Sequence, residues 1–169
     1  MRALRREGNS VTRPVNPRLA PVRTLSSGVV VVHWNREHYD YLLLRAYNYW
    51  DFPKGVVEAA ESPLEAAVRE VEEETTLTGL RFRWGDVYRE THPYNQGRKV
   101  ARYYIAEAPN TTVRLPPNPA LGRPEHSEYR WVDRAETDTR RSMRRLAEYG
   151  ISFSSGSLKE FFTLSREIL

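Results

Sequence analysis

Residues 55–77 read GVVEAAESPLEAAVREVEEETTL, and this stretch decides the fold. Ser62-Pro63-Leu64-Glu65 supplies an N-cap serine, a proline at the first helical position and a glutamate at the third, which is a capping box. The pattern predicts a helix over 63–75. On a wheel of about 100° per residue, Leu64, Ala67, Val68 and Val71 form one apolar stripe that should pack on a sheet. Glu70, Glu73 and Glu74 gather on another face. At three- and four-residue spacing, like charges on a helix repel by roughly 0.2–0.5 kcal/mol per pair. These three also crowd the C-terminal half, where the helix dipole favours cations. Taken alone, the run Glu72-Glu73-Glu74 reads as a solvated acidic face. Repeated violation of local preference on one face is, however, a mark of function. A hard divalent cation, Mg²⁺ or alternatively Mn²⁺, would turn the repulsion into binding.

Outward from the helix, the sequence alternates strands and turns. Residues 28–33, GVVVVH, form a β-branched run of the kind found in strands buried on both faces, with folded structure expected from near Ser27. A turn at 35–38 and a second strand at 39–45 predict a hairpin. Further strands are expected at 82–89, 100–107 and 129–132. The segment 109–124, rich in proline and asparagine, reads as a loop. A helix rich in arginine is expected at 136–149. Ser157-Leu158-Lys159-Glu160 repeats the capping pattern, so a C-terminal amphipathic helix within 156–169 should dock on the body through Leu158, Phe161, Phe162 and Leu169.

The chain has 169 residues, enough for one domain with a sizeable core. It has no cysteine, which excludes disulfides, a thiol nucleophile and thiolate metal sites. No apolar run approaches the ~20 residues of a membrane helix, so no membrane partner is expected. The net charge of +4 is concentrated in residues 1–25, where Arg2, Arg5, Arg6, Arg13, Arg18 and Arg23 face only Glu7; that segment carries +5 and the remainder −1. The basic pI therefore says little about the body. Residues 1–25, with three prolines and no apolar periodicity, read as a solvated arm. Attraction to RNA or polyphosphate, or organelle targeting, is the alternative. The expected organisation is arm 1–25, domain 26–155 and terminal helix 156–169, in a cytoplasmic monomer.

The stretch from Gly55 resembles the Nudix box, G-x5-E-x7-R-E-U-x-E-E-x-G-U with U bulky and aliphatic. Gly55, Glu61, Arg69, Glu70, Val71, Glu73, Glu74 and Leu77 occupy eight of its nine specified positions. The resemblance implies an α/β Nudix fold, a mixed sheet sandwiched between helices with a loop–helix–loop catalytic box. It further implies in-line attack of water on a phosphoanhydride, with Glu70, Glu73, Glu74 and the Gly55 carbonyl holding Mg²⁺. Arg69 is expected to pair with Glu61 and hold loop to helix. The chain departs from the box at Thr76, where the family has glycine, and Gly79 is expected to end the helix instead. In Glu58-Ala59-Ala60-Glu61, relatives commonly have glycine before the last glutamate.

The flanks resemble the asymmetrical dinucleoside tetraphosphatases. Tyr49-Trp50-Asp51-Phe52-Pro53-Lys54-Gly55 is similar to their W-x-x-P-K-G segment, the stretch 98–107 to their basic-then-tyrosine strand, and Pro124 through Val132 to their E-H-x-x-x-x-W segment. The substrate this implies is diadenosine tetraphosphate, giving ATP and AMP. Glu125 is then a further metal ligand or the general base, Lys54 and Lys99 meet phosphate, and Tyr103 stacks on adenine, although a core tyrosine explains Tyr103 nearly as well. His33 and His126 read as structural. Alternatives are an RNA 5′-pyrophosphohydrolase acting on triphosphorylated 5′ ends, a triphosphate-sanitising pyrophosphatase, a diphosphoinositol phosphate hydrolase, and an inactive nucleotide-binding module.

Overall fold

A computed structural model describes residues 23–133. The central strand β1, Thr24–Trp34, begins three residues before the expected Ser27, because Thr24 and Leu25 pair with Lys99 and Val100. It is followed by β2 (Tyr39–Ala46), β3 (Tyr49–Asp51), β4 (Lys54–Val56) and α1 (Pro63–Thr75). Then come β5 (Tyr88–Glu90), β6 (Lys99–Glu107), β7 (Pro117–Asn118), β8 (Arg123–Pro124) and β9 (Glu128–Val132). Seven strands make one mixed sheet in the order β3-β2-β1-β6-β5, with β9 on β2 and β4 on β1. β1 runs parallel to β6, while its other side is shared: β4 pairs with residues 26–28 and β2 with residues 32–34.

The valine run sorts by strand alternation. Val29 and Val31 face α1 together with Leu42, Leu44, Tyr104 and Ala106. Val30 and Val32 face the opposite side with Leu43, Phe52, Tyr103 and Ile105. The strand is thus buried on both faces, as its composition demanded. The helix starts where its capping box places it: the Ser62 side chain accepts from the Glu65 N–H, and the Glu65 carboxylate accepts from the Ser62 N–H.

Four expectations need correction. Val68 is 36% exposed; the buried stripe is Ala66, Ala67, Val71 and Thr75, shifted to the side where two alanines let the helix lie close to the sheet. The strand expected at 82–89 shrinks to Tyr88–Glu90, because Gly85 takes φ 75° and closes a turn from Phe82. The 109–124 loop contains the small β7–β8 ladder. The helix stops at Thr75 without using Gly79: Thr76 itself adopts the left-handed conformation, φ 60°, with its N–H on the Glu72 carbonyl. Ala60 is left-handed too, φ 71°. The helices expected at 136–149 and 156–169, and nearly all of the arm, lie outside the described residues.

A side chain in the left-handed region costs roughly 1–2 kcal/mol, offset in part by the greater unfolded-chain entropy of glycine. Thr76→Gly and Ala60→Gly should therefore each stabilise the full chain by about 0.5–1 kcal/mol. The check is the urea midpoint at unchanged m-value; a lower midpoint would show that neither residue is strained.

Candidate active site

The site forms where the 51–61 loop crosses the end of α1. Gly28 lets the loop press on β1: a Cβ there would lie 2.2 Å from the Pro53 carbonyl oxygen. Gly55 does the same for the helix. A Cβ on Gly55 would sit 2.0 Å from Oε1 of Glu70, so only glycine admits that carboxylate against the loop backbone.

Arg69 ties loop and helix together. Its Nε and Nη2 donate to both oxygens of Glu61, at 3.1 and 2.7 Å, and Nη2 also donates to the Val56 carbonyl. Nη1 donates to Glu70 at 2.8 Å and to Glu73 at 3.1 Å. The hydrogen bonds from Arg69 hold the Glu61 carboxyl below the usual carboxylate range. Glu74 lies deeper, its side chain 8% exposed. Its Oε2 accepts from the Lys54 backbone N–H, 3.1 Å, and its Oε1 meets His126 Nε2 at 2.9 Å. Burial pushes the Glu74 carboxyl up against the opposing pull of His126. Burial also raises Glu70, opposed by Arg69 and reinforced by Glu74 and Glu73.

Glu125 and His126 follow β8. Asn118 Nδ2 donates to Glu125 Oε2 at 3.2 Å, and ligand atoms of Glu74, Glu125 and His126 lie within 4.8 Å of one another. His126 is buried, and its Nδ1 has no hydrogen-bond partner among the described residues. Read from sequence as structural, this histidine in fact touches an expected metal ligand; its adjacency to Glu125 was the only available signal. His33 sits apart, with Nδ1 on the Ala108 carbonyl and its ring edge-on to Trp131.

Glu70, Glu73, Glu74 and Glu125 line one cavity of about 440 Å³. Glu73 is at its margin, with a side chain 59% exposed. Lys54, Gly55, Lys99, Tyr103 and Glu125 line a second cavity of about 330 Å³, together with Tyr49, Trp50 and Tyr94. Tyr103 corrects its expected stacking role. It is 1% exposed, its ring packs edge-on to Phe52, and its hydroxyl donates to Asp51. Lys54 is also less free than expected, since its ammonium pairs with Asp51 at 2.8 Å. Burial would lower its pKa, but the Asp51 carboxylate outweighs this and holds it above the usual lysine range.

The donor set fits a hard divalent cation. Two partly desolvated carboxylates with raised pKa, Glu70 and Glu74, and Glu125 beside Glu74 concentrate negative charge and oxygen ligands, the chemistry that Mg²⁺ or Mn²⁺ satisfies, while the His126 imidazole meets Glu74.

Comparison with known proteins identifies the family and the fold. Residues 24–149 match the NUDIX domain family. The chain is 33% identical over 98 residues to the mouse asymmetrical bis(5′-nucleosyl)-tetraphosphatase, covering 55% of this chain. It spans 63% of the length of that relative. A Myxococcus xanthus octanoyltransferase is 36% identical over 120 residues, covering 67% of this chain but 31% of that protein. Among solved structures, a C. elegans Ap4A hydrolase binary complex superposes with a TM-score of 0.59 at 23% identity, covering 86% of this chain and 99% of the other, which speaks to the fold.

The raised carboxyls carry a sign. Between the ordinary glutamic value and the raised folded one, the native state holds more protons than the unfolded chain, so Glu70 and Glu74 make metal-free stability fall as pH rises through that window. Glu70→Gln removes one contributor. It should raise the metal-free Tm at neutral pH, flatten the decline of Tm with pH, and reduce the Tm increase on adding Mg²⁺. A variant with a lower metal-free Tm and an intact Mg²⁺ response would remove Glu70 from the ligand set.

Proposed function

The chain belongs to the NUDIX domain family, and on that premise we propose that it is a Mg²⁺-dependent hydrolase of phosphoanhydride bonds in dinucleoside polyphosphates, with diadenosine tetraphosphate as the favoured substrate. The observation that carries this reading is the convergence of Glu74, Glu125 and His126 beside the Glu70 carboxylate lodged against Gly55. The named activity of the mouse relative supports the substrate class.

In this reading Glu70, Glu74 and Glu125 hold the cation, with Glu73 at the rim. When bound, Mg²⁺ supplies neutralisation of phosphate oxygens and alignment of the polyphosphate. The protein contributes the rest. Arg69 and Glu61 fix the loop against the helix. His126 orients Glu74, and Asn118 orients Glu125. Lys99, with Lys54 tethered by Asp51, meets phosphate oxygens on the side of the second cavity. Partly buried Tyr49, Trp50 and Tyr94 line the space for one base, in place of Tyr103. Water attacks a phosphorus in line and passes its proton to a carboxylate, with Glu125 the candidate base; the bridging P–O bond breaks and its electron pair leaves with the departing nucleotide, so that ATP and AMP result.

Glu74→Gln should lower kcat on diadenosine tetraphosphate on the order of 10²–10³-fold, while circular dichroism shows the fold retained. Near-normal turnover would end the assignment. A substrate panel that includes triphosphorylated RNA and oxidised nucleoside triphosphates tests the reaction class: turnover of RNA alone would replace the dinucleoside reading.

A further inference from the structure

The Lys54 ammonium and the Asp51 carboxylate lie 2.8 Å apart at the wall of the smaller cavity, the one that also holds Lys99. Three strands fix this meeting. Lys54 on β4 and Tyr103 on β6 both pair with Gly28 of β1, so the two residues stand in one row across the sheet. Gly28 keeps the row open: a Cβ there would lie 2.5 Å from the Lys54 Cβ. Asp51, at the end of β3, closes the group. Its Oδ1 accepts from the Phe52 N–H at 2.9 Å and from the Tyr103 hydroxyl at 3.1 Å, and its Oδ2 faces the ammonium. Burial and the Asp51 charge raise the Tyr103 pKa, which keeps the hydroxyl a donor.

Aiming the ammonium is a poor account of this contact. An ammonium is a compact point charge with three rotatable donors, and it needs little orientation to meet a phosphate. The Lys54 main chain is already fixed, since its N–H donates to Glu74. What Asp51 changes is charge. An opposite unit charge at contact distance cancels most of the field that the ammonium would present to an anion farther away. Carboxylate and phosphate oxygens are also acceptors of the same kind. A phosphate therefore gains the full charge-assisted bond only by drawing the ammonium from Asp51. The Tyr103 hydroxyl and the Phe52 N–H stabilise the carboxylate's charge, and so weaken its hold on the ammonium.

We propose that Asp51 is an internal competitor for the Lys54 ammonium, an affinity-limiting residue that a substrate phosphate must displace, and that the Tyr103 hydroxyl sets how strongly it competes. Asp51 and Tyr103 thus act through Lys54. Limiting the ground-state grip on phosphate keeps a nucleotide product from being retained. The proposal rests on the reading above in which Lys54 meets phosphate, and adds to it a residue that weakens that contact.

The test uses the full chain with Mg²⁺ and methylenediphosphonate, a diphosphate analogue that resists hydrolysis, at fixed ionic strength. Asp51→Asn should bind it about five- to tenfold more tightly than the wild type, because the amide no longer neutralises Lys54. Tyr103→Phe should bind it about two- to threefold more weakly, because Asp51 keeps its charge with one donor fewer. With diadenosine tetraphosphate, KM should move in the same two directions. Weaker binding in both variants would make Asp51 an anchor and overturn the proposal. Tighter binding in Asp51→Asn with no change in Tyr103→Phe would reduce Asp51 to a nearby charge and overturn it too, as would no binding to either the wild type or Asp51→Asn. The wild-type chain gives a reading that needs neither variant to fold. Its lysines are Lys54, Lys99 and Lys159. In lysine-selective ¹⁵N spectra, the Lys54 ammonium signal, assigned by its absence in Lys54→Arg, should shift as methylenediphosphonate binds; a signal that stays in place counts against the proposal and ends it. If no dinucleoside polyphosphate is hydrolysed, the hydrolase reading fails separately, and the order of affinities and the ammonium signal still judge Asp51.

Discussion

The Glu70 carboxylate lies against the backbone of Gly55, and the site is organised around that contact. A half-buried carboxylate placed on main chain is a poor arrangement unless its charge is compensated. Arg69 provides the compensation with a single guanidinium, meeting Glu61, Glu70, Glu73 and the Val56 carbonyl. Ion pairs of this kind contribute little on an open surface. Here they determine geometry: without the Arg69 fork, loop and helix would separate, and the carboxylates would no longer converge. The fork geometry makes lysine a poor substitute, because an ammonium cannot hold both Glu61 oxygens in one plane.

The sheet supplies the rigid reference. β1 is long enough to pair with β4 near its start and β2 near its end on the same side, which opens a fork in the sheet. Strand β4, which carries Lys54 and Gly55, lies in that fork, and the 57–61 loop follows it. The parallel partner β6 brings Lys99 and Tyr103 alongside, with Tyr103 opposite Gly28 in register. Asp51 then collects the Tyr103 hydroxyl and the Lys54 ammonium, so a core tyrosine fixes a cavity cation. Side chains on regular elements are better placed than those on loops, and Lys54 and Gly55 are held on β4 by its pairing with β1.

Much of this could be read from the chain itself, for identifiable reasons. The capping box and the acid face of α1 are local patterns, and local patterns survive in sequence. The valine run of β1 announces burial on two faces. The 82–89 stretch misled because aromatic and β-branched residues there match a strand, while Gly85 and the packing of Trp84 and Val87 on the core turn it into a bend. Thr76 misled because a β-branched residue rarely takes the left-handed conformation; the helix end tolerates it, with its N–H still bonded to Glu72. His126 was hidden by distance: it stands 52 residues from Glu74, and no periodicity connects a helix to a loop that far along the chain. Tyr103 could have been placed by alternation along β6, had its register against β1 been known.

The charges around the site explain, independently of any motif, why a polyphosphate would need a metal here. Arg69 is largely used by Glu61, and Lys54 by Asp51. Of the cations lining the two cavities, only Lys99 has no carboxylate partner among the described residues. Against it stand Glu70, Glu73, Glu74 and Glu125. An anionic chain laid across Glu125 would thus meet a net negative surface, and every phosphate would add repulsion in a partly desolvated space. One or more divalent cations reverse that balance where the carboxylates converge. Lysine ammonium groups in their place would attract an anionic chain with or without a metal. If the proposed reading holds, the carboxylates make the charge reversal conditional on the ion, and polyphosphate binding would be confined to the state in which the ion is already in position.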